Sequence, residues 1–290
     1  TPIEGAPHGA NVWGVDLNQP LDGGLMKILA DGLYEHRLLV IKNQTLDQST
    51  YLDFGYWWGK PIPHVLDHMR MPGYPELLTV GNTEEKDKKV EIRNGAALWH
   101  TDQSYEAVPA SATMLYSILT PKRGGQTRLA NMVAAYEALD ASTKERIDDL
   151  QVAHLYGAGK LLDDEFAANP LATDNQIERV PTCYHPLVLR HPVTGRKALY
   201  ATGQSSFAIK GMNDDEAVKL LWELKMHAIQ DRFVYAHTYE VGDIAILDTF
   251  STMHAATLIE AADTSAEDTQ RLLWRISVRG LPRVYEHLAA

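Results

Sequence analysis

Apolar residues in the first part of the chain follow two different spacings. Between positions 25 and 33 they recur every three or four residues, which predicts an amphipathic helix. The next run, LLVIK at residues 38–42, is short, apolar and partly β-branched, which predicts a strand. Asp47 stands just before a second set of apolar residues and predicts the N-cap of another helix. We therefore expect this part of the chain to form helices that cover a sheet.

The rest of the chain is rich in short strand patterns. Strands are predicted from ATMLYSIL, RFVYAHTY, DIAILD and LLWRISVRG, and a hairpin from HPLVLRHPVTGRKALYAT. Asn213 predicts the N-cap of the clearest helix, and STKE at residues 142–145 fits a capping box. Short strands with helices before and between them favour a mainly β sandwich or barrel with flanking helices.

No internal repeat, low-complexity segment or break in composition divides the sequence, so we predict a single domain over residues 1–290. Two stretches lack regular patterning. They are the charge-rich residues 82–96 and the Asp-, Asn- and Ala-rich residues 158–180. Both are predicted to be mobile loops, and loops of that length often act as lids.

Charge and composition narrow the classes of partner. The formal net charge of −11 and the absence of a Lys/Arg cluster argue against nucleic acid. No run reaches the roughly 18 apolar residues of a membrane span, so no membrane partner is predicted. The only cysteine, Cys183, cannot form an internal disulfide, which suits a reducing compartment and predicts a cytoplasmic location. The start TPIEGAPHGA lacks the basic and apolar regions of a signal peptide, and whether a segment precedes Thr1 stays open.

The stretch LWHTDQSYE, residues 98–106, contains the first candidate for chemistry. In a strand, His100 and Asp102 would point to the same face and could share one metal ion, or they could form its ordinary polar face. His254 follows the predicted strand DIAILD and offers a third ligand. Two histidines and one carboxylate on one face of an octahedron are the ligand set of non-haem Fe(II) oxygenases. A closed zinc site would need a fourth ligand, which Cys183 alone supplies poorly.

The order and spacing of several motifs give the chain a nearly end-to-end resemblance to a known enzyme family. The motifs are GANVWGVDL, LLVIKNQ, LWHTD, PKRGGQT, AAYEAL, HPLVLRHPVTGRKALY, VGDIAILD, His254 and RLLWR. On these residues the chain resembles the taurine and 2,4-dichlorophenoxyacetate dioxygenase (TauD/TfdA) family of Fe(II)- and 2-oxoglutarate-dependent oxygenases.

The resemblance implies a mainly β fold with flanking helices around a double-stranded β-helix, a cupin-like jelly-roll core. It implies His100, Asp102 and His254 as ligands of Fe(II), with 2-oxoglutarate chelating the iron through its keto and C1-carboxylate oxygens. Thr127 and Arg271 are the residues implied for the far carboxylate, to which a planar guanidinium offers two parallel N–H donors. O2 is the other co-substrate.

The same resemblance points to residues for the primary substrate. Arg275 lies four positions beyond Arg271, so both can face one side of a strand, and the family uses the second arginine for the anionic head of the substrate. His64 and Tyr105 lie near positions that contact the substrate in relatives, and a packing role is the alternative for Tyr105. The polar residues 204–206 favour a polyfunctional acid, such as an amino acid.

The implied reaction oxidises a C–H bond of a small carboxylate or sulfonate, with hydroxylation as the default and with release of succinate and CO2. Desaturation, cyclisation or oxidative fragmentation would need the same iron and a different substrate pose. No catalytic residue beyond the metal ligands is implied. The alternatives from other classes are a hydrolase or isomerase that uses another metal, and a binding protein on an inactive oxygenase scaffold. By analogy with relatives, we expect a homodimer or homotetramer.

Overall fold

The computed structural model describes residues 1–83, 95–157, 173–259 and 267–288. Its helices are α1 (Gly23–His36), α2 (Gln48–Trp58), α3 (Met132–Glu137), α4 (Ala141–Ile147), α5 (Asp174–Glu178) and α6 (Asp214–Ala228). Its strands are β1 (Ala10–Val12), β2 (Leu38–Ile41), β3 (Lys60–Pro61), β4 (Arg70–Met71), β5 (Tyr74–Gly81), β6 (Ala112–Leu119), β7 (Thr127–Asn131), β8 (Gln151–His154), β9 (Cys183–Pro186), β10 (Val188–Arg190), β11 (Lys197–Leu199), β12 (Ser206–Ile209), β13 (Val234–His237), β14 (Ile244–Asp248), β15 (Thr252–Ala256) and β16 (Leu272–Arg279).

The two predicted loops fall mostly on residues 84–94 and 158–172, which lie outside the described residues. The described end of the second one contains helix α5, where the sequence interpretation had a loop. Thr173 and Gln176 form a reciprocal capping box at its start, which gives this short segment a helix-forming signal.

Helix starts follow the capping residues of the sequence in most places. The Asp22 carboxylate accepts from the Leu25 N–H at the start of α1, and Asp47 accepts from Thr50 at the start of α2, as predicted for Asp47. At α4 the predicted capping box over residues 142–145 is wrong. Asp140, just upstream, accepts the Thr143 N–H and becomes the N-cap instead.

Two of the four sheets among the described residues face each other. The larger one has the strand order β1-β2-β14-β6-β16-β5-β4, with β3 beside β16, and the smaller one has the order β13-β7-β15. They face each other across a buried apolar layer that includes Leu115 of β6, Leu129 of β7, Leu247 of β14 and Leu273 of β16. Two facing sheets of mainly antiparallel strands are the architecture of a jelly roll. The predicted mainly β fold class is therefore confirmed.

Helices cover the outer faces of both sheets. Consecutive residues of a strand point to opposite faces, so Met114 of β6 turns away from the layer between the sheets and packs in one cluster with Leu33 of α1 and Phe54 of α2. On the smaller sheet, Met253 of β15 packs in a cluster with Leu221 of α6. Each fully buried leucine contributes about 1.5–3 kcal/mol relative to an exposed one, so these layers hold the strands at the site firmly.

Within the described ranges, no helix combines the length and the apolar character needed to cross a membrane.

Candidate metal centre and active site

Two histidines from distant parts of the sequence are held side by side by their own backbones. The His100 N–H donates to the His254 carbonyl at 2.9 Å, and the His254 N–H donates to the His100 carbonyl at 2.8 Å. Their ring centroids lie 4.2 Å apart. His254 lies within strand β15, so the smaller sheet carries it to the start of the HTD segment.

Asp102 completes a three-residue cluster. One of its carboxylate oxygens lies 3.6 Å from Nε2 of His100, and the other lies 3.7 Å from Nε2 of His254. The three ligand atoms all lie within 4.8 Å of one another, so a single ion can bind all three. The expectation that His100 and Asp102 share the face of one strand is wrong in detail. His100 forms an isolated bridge, and the chain then enters a turn that directs Asp102 back toward the histidines.

The protonation of the histidines suits metal binding. Nδ1 of His100 lies 2.7 Å from the Leu98 carbonyl oxygen, an acceptor, so Nδ1 carries a hydrogen and Nε2 is the nitrogen that faces the other ligands. Burial, helped by the nearby His100, lowers the pKa of His254 to about 3, which keeps that ring neutral. Neutral imidazoles are the form that binds metal ions.

The Asp102 carboxylate is kept ionised by its surroundings. Burial alone would raise its pKa, but Arg275 and then the two histidines outweigh that effect and hold the pKa well below its usual range. Arg275 lies 2.8 Å from one carboxylate oxygen. The Thr113 hydroxyl donates to the other at 2.7 Å, and Thr113 in turn contacts the Ser277 hydroxyl at 3.0 Å. These partners orient the carboxylate toward the histidines.

The donor set fits Fe(II). Two imidazole nitrogens and one carboxylate oxygen lie within 4.8 Å of one another. This is the ligand set that non-haem Fe(II) oxygenases place on one face of the metal, with the other positions open. Within the described part of the chain, no other group of three or more such side chains lies close enough to hold a metal ion. Cys183 lies elsewhere, 3.4 Å from His185.

Gly203 packs directly against the backbone that precedes His100, and its replacement tests how tight this packing is. A Cβ atom at Gly203 would stand 2.1 Å from the carbonyl oxygen of Trp99, which directly precedes His100. We expect Gly203→Ala to lower the free energy of unfolding by about 3 kcal/mol, measured by urea denaturation, because overpacking forces the backbone to shift. Gly23→Ala is the matched control, since a Cβ there meets nothing within 4 Å. Equal stability of the two variants would contradict the prediction.

Arg271 and Thr127, the residues implied for the far carboxylate of 2-oxoglutarate, both lie close to Tyr239. Arg271 is 3% exposed, and its Nε donates to the Gly125 carbonyl at 3.0 Å. The Thr127 hydroxyl lies 2.9 Å from the Tyr239 hydroxyl. Burial raises the pKa of Tyr239 to about 12, against the opposing effects of the Arg271 charge and the Thr127 hydrogen bond, which places all three in one buried neighbourhood.

The residues implied for the primary substrate lie near Arg275 and Asp102. His64 is buried, and the charges of Arg275 and Asp102 act on its ring. Tyr105 packs against Tyr156 with ring centroids 4.9 Å apart, and Tyr156 meets the His64 ring edge-on at 6.3 Å. The sequence interpretation missed Tyr156, because an isolated aromatic at a strand end carries no motif.

Residues 204–206 give no support to a polar substrate. The Ser205 hydroxyl contacts the Ser104 hydroxyl and Nδ1 of His154, and the Ser206 hydroxyl donates to the Gly203 carbonyl. Both hydroxyls are therefore used in internal hydrogen bonds, and those of Ser205 join the turn after Asp102 to strand β8.

Comparisons with known proteins agree with this geometry. The family model described as "Taurine catabolism dioxygenase TauD, TfdA family" matches residues 1–277. The chain is 31% identical over 282 residues to the (S)-phenoxypropionate/alpha-ketoglutarate-dioxygenase of Sphingobium herbicidovorans, covering 96% of this chain and 93% of the relative. It is 29% identical over 272 residues to pentalenolactone F synthase of Streptomyces arenae, covering 91% of each. The crystal structure of AAD-2 in complex with Mn(II) and N-oxalylglycine superposes with a TM-score of 0.77 at 28% identity, covering 95% of this chain and 96% of that one.

The resemblance seen in the motifs is thereby confirmed over almost the whole chain. Alpha-ketoglutarate is 2-oxoglutarate, and a set of two histidines and one carboxylate fits the iron that enzymes of this kind use. Fe(II), 2-oxoglutarate and O2 are therefore the cofactor and co-substrates. The chain belongs to the taurine catabolism dioxygenase TauD, TfdA family and is an Fe(II)- and 2-oxoglutarate-dependent dioxygenase.

Proposed function

We propose that this dioxygenase oxidises a C–H bond of a small organic acid, by default to the alcohol, with release of succinate and CO2. The observation that carries the proposal is the position of Arg275. Its guanidinium lies 2.8 Å from the Asp102 carboxylate, and 14% of its side chain stays exposed. A cation in this place can bind the acid group of a substrate while the rest of that substrate lies beside the metal.

The walls around Arg275 suit an acid with an apolar or aromatic body. Nδ1 of His64 accepts the Leu66 N–H at 3.1 Å, so Nε2 carries the hydrogen and can donate to an anion. Burial, and then the Arg275 charge, lower the pKa of His64 to about 3, so this donor is neutral. Tyr105 and Tyr156 supply ring surface next to it. The phenoxypropionate in the name of the Sphingobium relative is an acid of this chemical class.

Arg271 and Thr127 are proposed to bind the far carboxylate of 2-oxoglutarate. Among the described residues, no carboxylate lies within 4.0 Å of the Arg271 guanidinium. A buried charge without a counterion is costly, and an anionic ligand would supply one. Thr127 adds a buried hydroxyl that can donate to the same carboxylate.

When bound, Fe(II) with 2-oxoglutarate and O2 supplies the oxidising power, as 2-oxoglutarate is converted to succinate and CO2. The contribution of the chain itself is placement. His100, Asp102 and His254 would hold the metal, and Arg275 would fix the acid end of the substrate near it. This geometry selects which C–H bond is nearest the metal, and the buried rings keep water away from it.

A screen of small carboxylates and sulfonates tests the proposal. The expected result is an acid that stimulates succinate formation and O2 consumption in equal amounts and gains one oxygen atom, as measured by mass spectrometry of the product. A product that has lost two hydrogens, closed a ring or fragmented would replace hydroxylation by one of those outcomes. If no acid stimulates succinate formation while neutral compounds do, the proposed substrate class is wrong. The cytoplasmic location and the homodimer or homotetramer stay predictions.

Arg275→Gln is expected to raise the KM for the acid found in that screen by about tenfold or more, because a charge-assisted hydrogen bond is lost. The Kd of 2-oxoglutarate on protein saturated with Mn(II) should change by less than about twofold, since Arg271 is left in place. Arg283→Gln, at an exposed arginine over the Trp57 ring, is the control and should change neither constant. Steady-state kinetics measure the KM and isothermal titration calorimetry measures the Kd, and an unchanged KM in Arg275→Gln would remove Arg275 from the substrate site.

A further inference from the structure

We infer that Tyr239 is a third residue that binds the far carboxylate of 2-oxoglutarate, through its phenolic hydroxyl. The inference rests on the proposed role of Arg271 and Thr127 and extends it. Tyr239 lies beyond the end of strand β13, whose last residue, His237, pairs directly with Thr127 at the start of β7. This register brings the tyrosine beside Thr127, although 112 positions separate the two in the sequence.

Tyr239 and Arg271 line one cavity. Gly125, whose carbonyl accepts from Nε of Arg271, lies in the same wall, as does Leu273 of strand β16. The Arg271 charge acts strongly enough on Tyr239 to oppose the effect of burial on the phenol. An anion that pairs with Arg271 in this cavity therefore lies within reach of the tyrosine.

A count of hydrogens shows that the two hydroxyls have a donor to spare. Each hydroxyl carries one hydrogen that it can donate, and its oxygen can accept up to two hydrogen bonds. Tyr239 and Thr127 lie 2.9 Å apart and share one hydrogen bond, which uses one of their two hydrogens. Neither hydroxyl has another hydrogen-bond partner among the described residues. One hydrogen is therefore free while the pair is intact, and both hydroxyls can donate if a carboxylate oxygen replaces their shared bond. A carboxylate is the fitting acceptor, since its two oxygens can accept from these hydroxyls and from the Arg271 guanidinium together.

The Tyr239 ring is held in position by His237. His237 packs edge-on against it, with ring centroids 4.5 Å apart. Nε2 of His237 lies 3.6 Å from the Asp243 carboxylate, which also binds Lys42 at 2.7 Å. A ring fixed in this way loses little conformational freedom on binding a ligand, so its hydrogen bond contributes to affinity.

The experiment compares two oxo acids on Mn(II)-loaded protein, in which no turnover interferes, by isothermal titration calorimetry. 2-Oxoglutarate carries the far carboxylate, and 2-oxobutyrate has the same metal-binding end without it. We expect Tyr239→Phe to raise the Kd of 2-oxoglutarate by about tenfold or more, since a hydrogen bond to a charged group is lost. The Kd of 2-oxobutyrate should stay within about twofold of the wild-type value. Tyr235→Phe is the matched control, because its hydroxyl contacts Nδ1 of His237 at 3.5 Å and not Thr127, and it should change neither constant.

Three results would overturn the inference. A Kd of 2-oxoglutarate in Tyr239→Phe within about twofold of wild type removes the tyrosine from the site while leaving Arg271 and Thr127 in place. Equal weakening of both oxo acids shows that Tyr239 supports the fold instead of the far carboxylate. If wild-type protein binds the two acids equally well, the carboxylate site assigned to Arg271 and Thr127 is itself wrong, and the inference falls with it.

Discussion

Replacement of Asp102 by alanine is expected to abolish succinate formation and to weaken metal binding by more than about 100-fold. Loss of a hydrogen-bond partner of a metal ligand alone costs about 10–100-fold in affinity, and this substitution removes the ligand itself. It also leaves the Arg275 guanidinium without the carboxylate that lies 2.8 Å away. That cation would then lie next to the metal position and repel the ion. Mn(II) titration followed by electron paramagnetic resonance measures the affinity directly, and succinate release measures turnover.

Thr113→Val gives a graded comparison for the same carboxylate. It removes the 2.7 Å hydrogen bond to Asp102 but keeps all three ligands, so we expect a loss of metal affinity between that of wild type and that of Asp102→Ala. Circular dichroism of both variants checks that the fold is kept. An Asp102→Ala protein that binds Mn(II) and turns over normally would disprove the ligand assignment.

The sequence predicts secondary structure well where neighbouring residues determine it. Helix α2 begins where Asp47 can accept a backbone N–H, and strand β6 coincides with the apolar run ATMLYSIL. The error at residues 142–145 is also local. Two competing caps lie close together there, and Asp140 has the better-placed carboxylate. Strand β5 was missed because its burial is mixed, so its sequence shows neither clean alternation nor a continuous apolar run.

The site is predictable only where a motif carries it. His100, Asp102 and His254 could be proposed because their residue types match a metal site, but the turn that aims Asp102 at the histidines depends on the bridge between His100 and His254. Tyr156 and Tyr239 have no such signal. Each is a single tyrosine in an ordinary context, and its place in the site follows from strand pairing between remote segments.

Tertiary structure also determines the second large expected effect, which is the loss of 2-oxoglutarate binding when Arg271 is replaced. Its side chain is buried among residues of the two sheets, and burial lowers its pKa. In the ligand-free protein this charge costs free energy, because the described residues place no carboxylate beside it. In the proposed complex with 2-oxoglutarate, two parallel hydrogen bonds would pair the same charge. Arg271 would then stabilise the complex much more than it stabilises the free protein.

This difference predicts that Arg271→Gln strongly weakens binding but hardly changes stability. The Kd of 2-oxoglutarate should rise by about 100-fold or more, because truncating one partner of a buried charge pair costs about 2–5 kcal/mol. The free energy of unfolding without ligand should change by less than about 1 kcal/mol, since one hydrogen bond, to Gly125, is lost while an unpaired buried charge is relieved. Calorimetry and urea denaturation measure the two quantities, with the exposed Arg190→Gln as control. A large loss of stability with an unchanged Kd would instead make Arg271 a structural residue, because a charge that already has its partner in the free protein has nothing to gain from the ligand.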